Sequence, residues 1–444
     1  MSRRTSLLAL AASVAALGSL VSFVGCQPPG AWLSLLQGDL GGKAGSRSAA
    51  VDLGASDLGA LGSRPSRQNP LAPPLRPAQR CFPPDSSASP PRPLAALLQR
   101  TGDLIEAGRH ADALVCAEEA ARVDGRSILA HLDRAVCLAE LNRLEESEAA
   151  LLRALALDPD DPETLATAAD LFVSTYTPSV DHSEVGLELA RRAQKKLQRK
   201  SAKKGDKSLH GWALAIEGQA LTDLGRPREA LARLDLACKA MPNDRSARYS
   251  RGVALYELSR FEEALRVFQS VIDGLGQTGE HAKSDDAFHW NHLGLAKERL
   301  GDQKGADLAF AEAQRLSPAD FPPLQSVSPA EFRKLVDEAV EALDKRDRTD
   351  LARAELQTAD LPDPSDLTAE EPPLSPTILG LFRGLPLADL ADREPRTIVL
   401  YRKNLLRATR TLGELREQIR TTLLHELGHL RGEDDDALRS RGLE

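Results

Sequence analysis

Aromatic residues are scarce: tryptophan, tyrosine and phenylalanine together make up 4% of the 444 residues. That scarcity argues against a β-sandwich or barrel, whose cores lean on aromatic and β-branched side chains. Of the five cysteines, Cys26, Cys81, Cys116, Cys137 and Cys238, no two stand in a C-x-x-C pair. A cysteine zinc site and a thioredoxin-like motif are therefore both excluded. There is no surplus of positive charge either, since 57 lysines and arginines face 65 acidic residues for a net charge of -8. Nothing in that balance suggests nucleic acid as a partner. Methionine occurs only at positions 1 and 241. What the chain has in abundance is alanine and leucine, which favours helices packed through small side chains. Its length allows two or three domains.

The first residues read as a targeting segment. Arg3 and Arg4 precede an apolar run from Leu7 to Val24, which ends in Phe23-Val24-Gly25-Cys26. Residues 1–26 resemble a bacterial lipoprotein signal, which implies lipidation at Cys26, although Phe23 stands where leucine is usual. A plain transmembrane anchor is the other reading, since about 18 apolar residues just span a bilayer. Either places the bulk of the chain outside the cytoplasm, and the lipoprotein reading puts it in a bacterial cell envelope, facing the periplasm or the exterior. Residues 27–93, rich in proline, glycine and serine, read as a flexible tether. Cys81 lies within it and is the cysteine expected to be exposed, whereas Cys116, Cys137 and Cys238 fall in helical segments as small buried residues.

The middle of the chain repeats itself at a 34-residue period. One copy has Trp290, Leu293, Gly294, Gly301, Ala306, Phe310, Ala313 and Pro318. Another has Gly218, Gly225, Ala230, Ala237 and Pro242, and between them lie Gly252, Phe261, Ala264 and Phe268. Earlier copies carry Ala135, Leu144, Ala154 and Pro159, then Gly108, Ala113 and Ala120. A weaker unit over residues 162–200 keeps the spacing only with an insertion near Thr177-Pro178. Small residues at fixed places let two antiparallel helices approach, and proline stops the second. Residues 94–320 resemble the tetratricopeptide repeat family. The resemblance implies a helical solenoid whose concave groove includes Trp212, Tyr249, Tyr256 and Phe288. These rings fit a peptide-binding groove for a protein partner, or equally a surface that packs against the neighbouring catalytic domain or the returning tether.

After Pro318 the pattern changes. Ser328-Pro329-Ala330-Glu331 is a capping box opening a helix with Phe332, Leu335, Val336, Ala339 and Leu343 on one face. Strands are expected near 354–358, 377–382 and 397–401. A proline-rich loop over 361–376 could serve as a gate. A second capping box, Thr411 with Glu414, opens a last helix running to Gly432.

That helix carries His425-Glu426-Leu427-Gly428-His429, then Gly432 and Asp435. Histidines four apart project from one face and can share a metal, while the glutamate beside the first can take a proton from bound water. Gly432 permits a turn that could bring Asp435 round as a third ligand, although Glu433, Asp434 and Asp436 are neighbours of the same type. Zinc with three protein ligands is the expected cofactor. Together with residues 379–387 and 398–401, the motif resembles the minimal zincin-like metallopeptidase family over about 329–438. By that resemblance His425, His429 and Asp435 are ligands and Glu426 is the general base. The lack of a methionine after the motif separates it from metzincins. Tyr401 and Arg383 are candidates for stabilising an oxyanion by residue type only.

The fold class expected is mainly α, a tetratricopeptide-repeat α-solenoid (94–320) followed by a small α+β zincin-like domain (326–444). Three functions fit: an envelope-tethered zinc peptidase whose repeats recruit a protein partner or substrate, a non-catalytic scaffold lipoprotein with a structural or inactive zinc domain, or a zinc hydrolase acting on a non-peptide bond.

Overall fold

A computed structural model of the protein describes residues 81–82, 93–176, 180–199, 204–277, 286–369, 373–388 and 395–443. The signal segment, Cys26, nearly all of the tether and Thr177-Pro178 lie outside the described residues. Among the described residues no helix is long and apolar enough to cross a membrane.

Helices pair in sequence order to form the solenoid. They are α1 (Leu94–Glu106) with α2 (His110–Val123), α3 (Ile128–Glu140) with α4 (Leu144–Leu157), and α5 (Pro162–Asp170) with α6 (Val180–Arg199). Next come α7 (Lys204–Asp223) with α8 (Pro227–Ala240), α9 (Arg245–Glu257) with α10 (Phe261–Gln277), and α11 (Asp286–Arg299) with α12 (Gln303–Leu316). A glycine in the first helix of three late pairs faces a large side chain in the second. A Cβ at Gly218, Gly252 or Gly294 would sit 2.4 Å from Leu234, 2.5 Å from Phe268 or 2.6 Å from Phe310. Such approach is what the repeat spacing encodes, because a core packed this tightly leaves no room for one added carbon. The irregular unit is real: α5 loosens into a π-helical turn at Leu171–Thr175 before α6 begins.

Two expectations about side chains are corrected. Cys81 is buried and disulfide-bonded to Cys116 on α2, so the end of the tether is stitched to the first repeat. The pairing joins residues 35 apart with no helical register between them, so no local pattern announces it. Tyr249, Tyr256 and Phe288 are buried rather than displayed in a groove, and only Trp212 of the four keeps partial exposure. The Tyr249 hydroxyl lies 2.9 Å from His292 Nδ1, and its ring packs edge-on against His289. Phe288 packs edge-on against Phe321.

The C-terminal domain follows with α13 (Pro329–Glu341), α14 (Lys345–Leu351), β1 (Glu355–Ala359), α15 (Pro364–Leu367), β2 (Gly380–Arg383) and β3 (Thr397–Tyr401). It ends with α16 (Arg402–Arg407), α17 (Leu412–Arg431) and α18 (Asp435–Ser440). The sheet order is β1-β3-β2. β1 runs parallel to β3 with Glu355 opposite Thr397, and β2 runs antiparallel to it with Gly380 opposite Leu400. All five residues of β3 are buried, as a central strand requires. Both capping boxes form, Ser328 with Glu331 and Thr411 with Glu414.

The two parts are joined by more than the chain. Leu367 is buried in the core of the solenoid, with Leu374 and Ile378 packed against the same core. The proline-rich segment is thus docked at those residues, which does not suit a gate. Lys403 and Arg407 on α16 bind Glu298 at the end of α11, at 2.8 and 2.7 Å, and the Arg407 guanidinium lies over the Phe310 ring.

Candidate metal centre

The site is built on α17. Its four-residue spacing brings His425 and His429 together, their Nε2 atoms 3.0 Å apart. The helix ends at Gly432, whose φ of 92° is the left-handed conformation that glycine adopts without strain. The chain then turns back into α18. Gly428, inside the motif, makes that return possible, since a Cβ there would lie 2.2 Å from the buried Leu438. Asp435 Oδ1 arrives 3.3 Å from His429 Nε2 and 3.7 Å from His425 Nε2. Among the described residues these three side chains form the one cluster whose donor atoms all lie within 4.8 Å of one another. Asp435 is exposed and the histidines are half-buried, leaving the site open on the aspartate side.

The histidine tautomers follow from their outer contacts. His425 Nδ1 lies 2.6 Å from the Leu443 carbonyl, and His429 Nδ1 lies 3.0 Å from the Glu433 carbonyl. A carbonyl only accepts, so both Nδ1 atoms carry the proton, and a neutral ring in that tautomer presents its Nε2 lone pair. With both rings neutral, two lone pairs and a carboxylate oxygen converge without a donor between them. That is a repulsive arrangement for neutral imidazoles and a fitting one for a cation.

Glu426 is 5% exposed. Burial pushes its carboxyl up to about 8, the Phe382 backbone N–H that it accepts works the other way, and the Asp435 charge adds to the rise. The helix face that holds it needs a bare neighbour, because a Cβ on Gly380 would come 2.8 Å from Glu426 Oε1. Phe382 and Gly380 belong to β2, which pairs on one side with β3. The carbonyl of Leu379 accepts from Tyr401 N–H toward β3, so Gly380 and Phe382 turn their main chain to the outer edge of the sheet, beside Glu426.

Of the two oxyanion candidates, Tyr401 is fully buried, its hydroxyl pushed up to about 12 by burial and then by the Asp366 charge. Arg383 is ion-paired with Asp366. Sequence reading missed Asp366, and also Arg431, which pins the end of α17 through Asp347 and Asp350 at 2.5 and 2.8 Å. The spacing of Asp347 and Asp350 on one helix face was a usable signal, whereas Asp366 gave none.

Comparison with known proteins agrees with this division. Residues 103–162 and 217–280 match the family model described as tetratricopeptide repeat. The human Tetratricopeptide repeat protein 34 is 33% identical over 108 residues, 24% of this chain and 19% of that protein. The chain thus spans about a fifth of that relative's length. Among solved structures, Pseudomonas aeruginosa pilF is 16% identical with a TM-score of 0.38, covering 55% of this chain and 97% of the other. PilW, a type IV pilus biogenesis factor, is 16% identical with a TM-score of 0.40, covering 55% and 98%. Residues 351–443 match the family model described as zincin-like metallopeptidase. The chain therefore joins a tetratricopeptide-repeat solenoid to a C-terminal zincin-like metallopeptidase domain.

Proposed function

We propose that the protein is a zinc-dependent peptidase of the cell envelope whose repeats recruit a protein partner or substrate. The observation that carries the reading is the convergence of His425 Nε2, His429 Nε2 and Asp435 Oδ1, with both Nδ1 protons committed to carbonyls. A zinc ion held there would lower the pKa of its bound water to about 7, polarise a carbonyl and draw Glu426 back toward the usual carboxylate range. Glu426 takes the proton from the attacking water and returns it to the leaving amine. The outer edge of β2, which pairs with no further strand among the described residues, gives an extended peptide a strand to pair with beside the Phe382 N–H held by Glu426, and main-chain pairing of that kind is indifferent to side-chain identity. Selectivity then falls to the solenoid, where Trp212 is the groove candidate that keeps partial exposure. Envelope placement rests on the segment ending at Cys26, and the Cys81–Cys116 bridge supports it, since such bridges persist in oxidising compartments.

The test pairs zinc content with cleavage of an unfolded protein, in wild type and in Glu426→Gln. Both proteins are expected to retain zinc, and the variant to lose about 10²–10⁴-fold in cleavage rate. Zinc in both with cleavage in neither would leave the scaffold function. A wild type without zinc would remove the metal.

A further inference from the structure

The residues that follow the zinc motif do more than close the domain. α18 ends as α17 does. At the end of α17, Gly432 N–H donates to His429 O and Glu433 N–H to Gly428 O, at 2.9 and 3.0 Å. At the end of α18, Gly442 N–H donates to Arg439 O and Leu443 N–H to Leu438 O, at 2.9 and 3.1 Å. Both are Schellman turns closed by a left-handed glycine, with φ of 92° at Gly432 and 71° at Gly442. In each, the residue after the glycine turns its carbonyl onto a histidine of the motif: Glu433 onto His429 and Leu443 onto His425. An ion pair between Arg441 and Glu433 ties the second turn to the first. Leu438, fully buried against Gly428, fixes where the last turn starts.

We propose that Gly442 and Leu443 are positioning residues of the metal centre, the left-handed turn at Gly442 setting the Leu443 carbonyl so that His425 presents Nε2 to the ion. The proposal rests on the peptidase reading only for the identity of the ion. A carbonyl partner fixes both the tautomer and the ring angle of a ligating histidine, and losing such a partner costs about 10–100-fold in metal affinity. Neither residue touches the ion or a substrate. The second turn lies outside the H-E-x-x-H-x-x-G-x-x-D pattern, so the pattern alone does not contain everything the site is built from.

The test measures zinc affinity by competition with a chromophoric chelator, with melting of the zinc-free protein alongside. It uses the full chain, a chain ending at Arg441, Gly442→Val and Gly442→Asn. The shortened chain and Gly442→Val are expected to bind zinc about 10–100-fold more weakly. Gly442→Asn, which tolerates the left-handed conformation, should stay near wild type. Zinc-free melting should be the same for the full chain, the shortened chain and Gly442→Asn, and slightly lower for Gly442→Val, which carries a branched residue at positive φ. Equal zinc affinity across the set overturns the proposal, and so does a loss of affinity in the shortened chain that tracks a fall in its zinc-free melting temperature. A wild type that binds no zinc overturns the peptidase reading and this proposal together, whereas zinc-binding variants indistinguishable from a zinc-binding wild type overturn this proposal alone.

Discussion

The solenoid and the metal centre use one local device for different ends. In five repeats the first helix stops at a left-handed residue: Gly108, Asn142, Gly225, Ser259 and Gly301. The next residue then offers its carbonyl to the start of the second helix. Ala113 N–H donates to Arg109 O at 2.9 Å, Ser147 N–H to Arg143 O at 3.0 Å and Ala230 N–H to Arg226 O at 3.0 Å, and Arg260 and Asp302 do the same. Four of these residues are arginines, each ion-paired with an acid three positions on: Asp112, Glu146, Glu229 and Glu263. At the metal centre the same carbonyl reaches a histidine ring. The difference lies in what the chain brings near. The residue after a left-handed stop carries a carbonyl that the backbone of the helix it leaves does not use. The following helix supplies its donor in the repeats, and the preceding motif helix supplies it at the metal centre.

The strongest way to break this contrast is at the ligands. His429→Ala should abolish zinc retention and cleavage while leaving helical melting of the solenoid in place, as read by metal content and circular dichroism. Loss of solenoid structure in that variant would mean the two regions are not separable in the sense described. Next comes the seam. Glu298 has a side chain 3% exposed and holds both Lys403 and Arg407. Glu298→Ala strands the partly buried arginine and should cost about 3–5 kcal/mol, seen as unfolding in denaturant that splits into two steps. A single transition at the wild-type midpoint would show that the domains do not support each other there.

The smallest effect sharpens the comparison through pH. Burial pushes the Asp170 carboxyl in the solenoid up to about 7, with the Glu140 charge on α3 adding to it and the Ser174 hydroxyl opposing. The folded state therefore holds a proton that the unfolded chain, titrating near the ordinary value of 3.8, releases. The resulting stability is full below pH 4 and is lost as pH rises through 7. Melting of the solenoid should be higher at pH 5 than at pH 8, by on the order of 1 kcal/mol once water penetration is allowed for. Asp170→Asn should flatten that slope, and an unchanged slope would assign the dependence elsewhere.

Much of this architecture was legible in the sequence, for reasons that are local. The strand at Thr397–Tyr401, the boxes at Ser328 and Thr411 and the stop at Gly432 depend on residues within one turn of each other. The strand expected at 377–382 is shorter and later, Gly380–Arg383, because its start is set by pairing with β3. What could not be read depends on distant partners. Glu298 reads as an ordinary exposed acid at the end of a helix until α16, about a hundred residues on, meets it. Tyr249 and Tyr256 sit at positions that face a groove, yet the neighbouring repeats are close enough to cover them. Leu443 is invisible as a site residue because it acts through its backbone.

The bridge between Cys81 and Cys116 also decides how the molecule bears a load. A pull applied upstream of Cys81 enters the solenoid through the bridge, on the buried face of α2, instead of through the first turn of α1. α1 lies within the covalent loop and carries no tension, so its turns cannot be peeled away one at a time. The load passes at Cys116 straight into the packing of α2 with its neighbours.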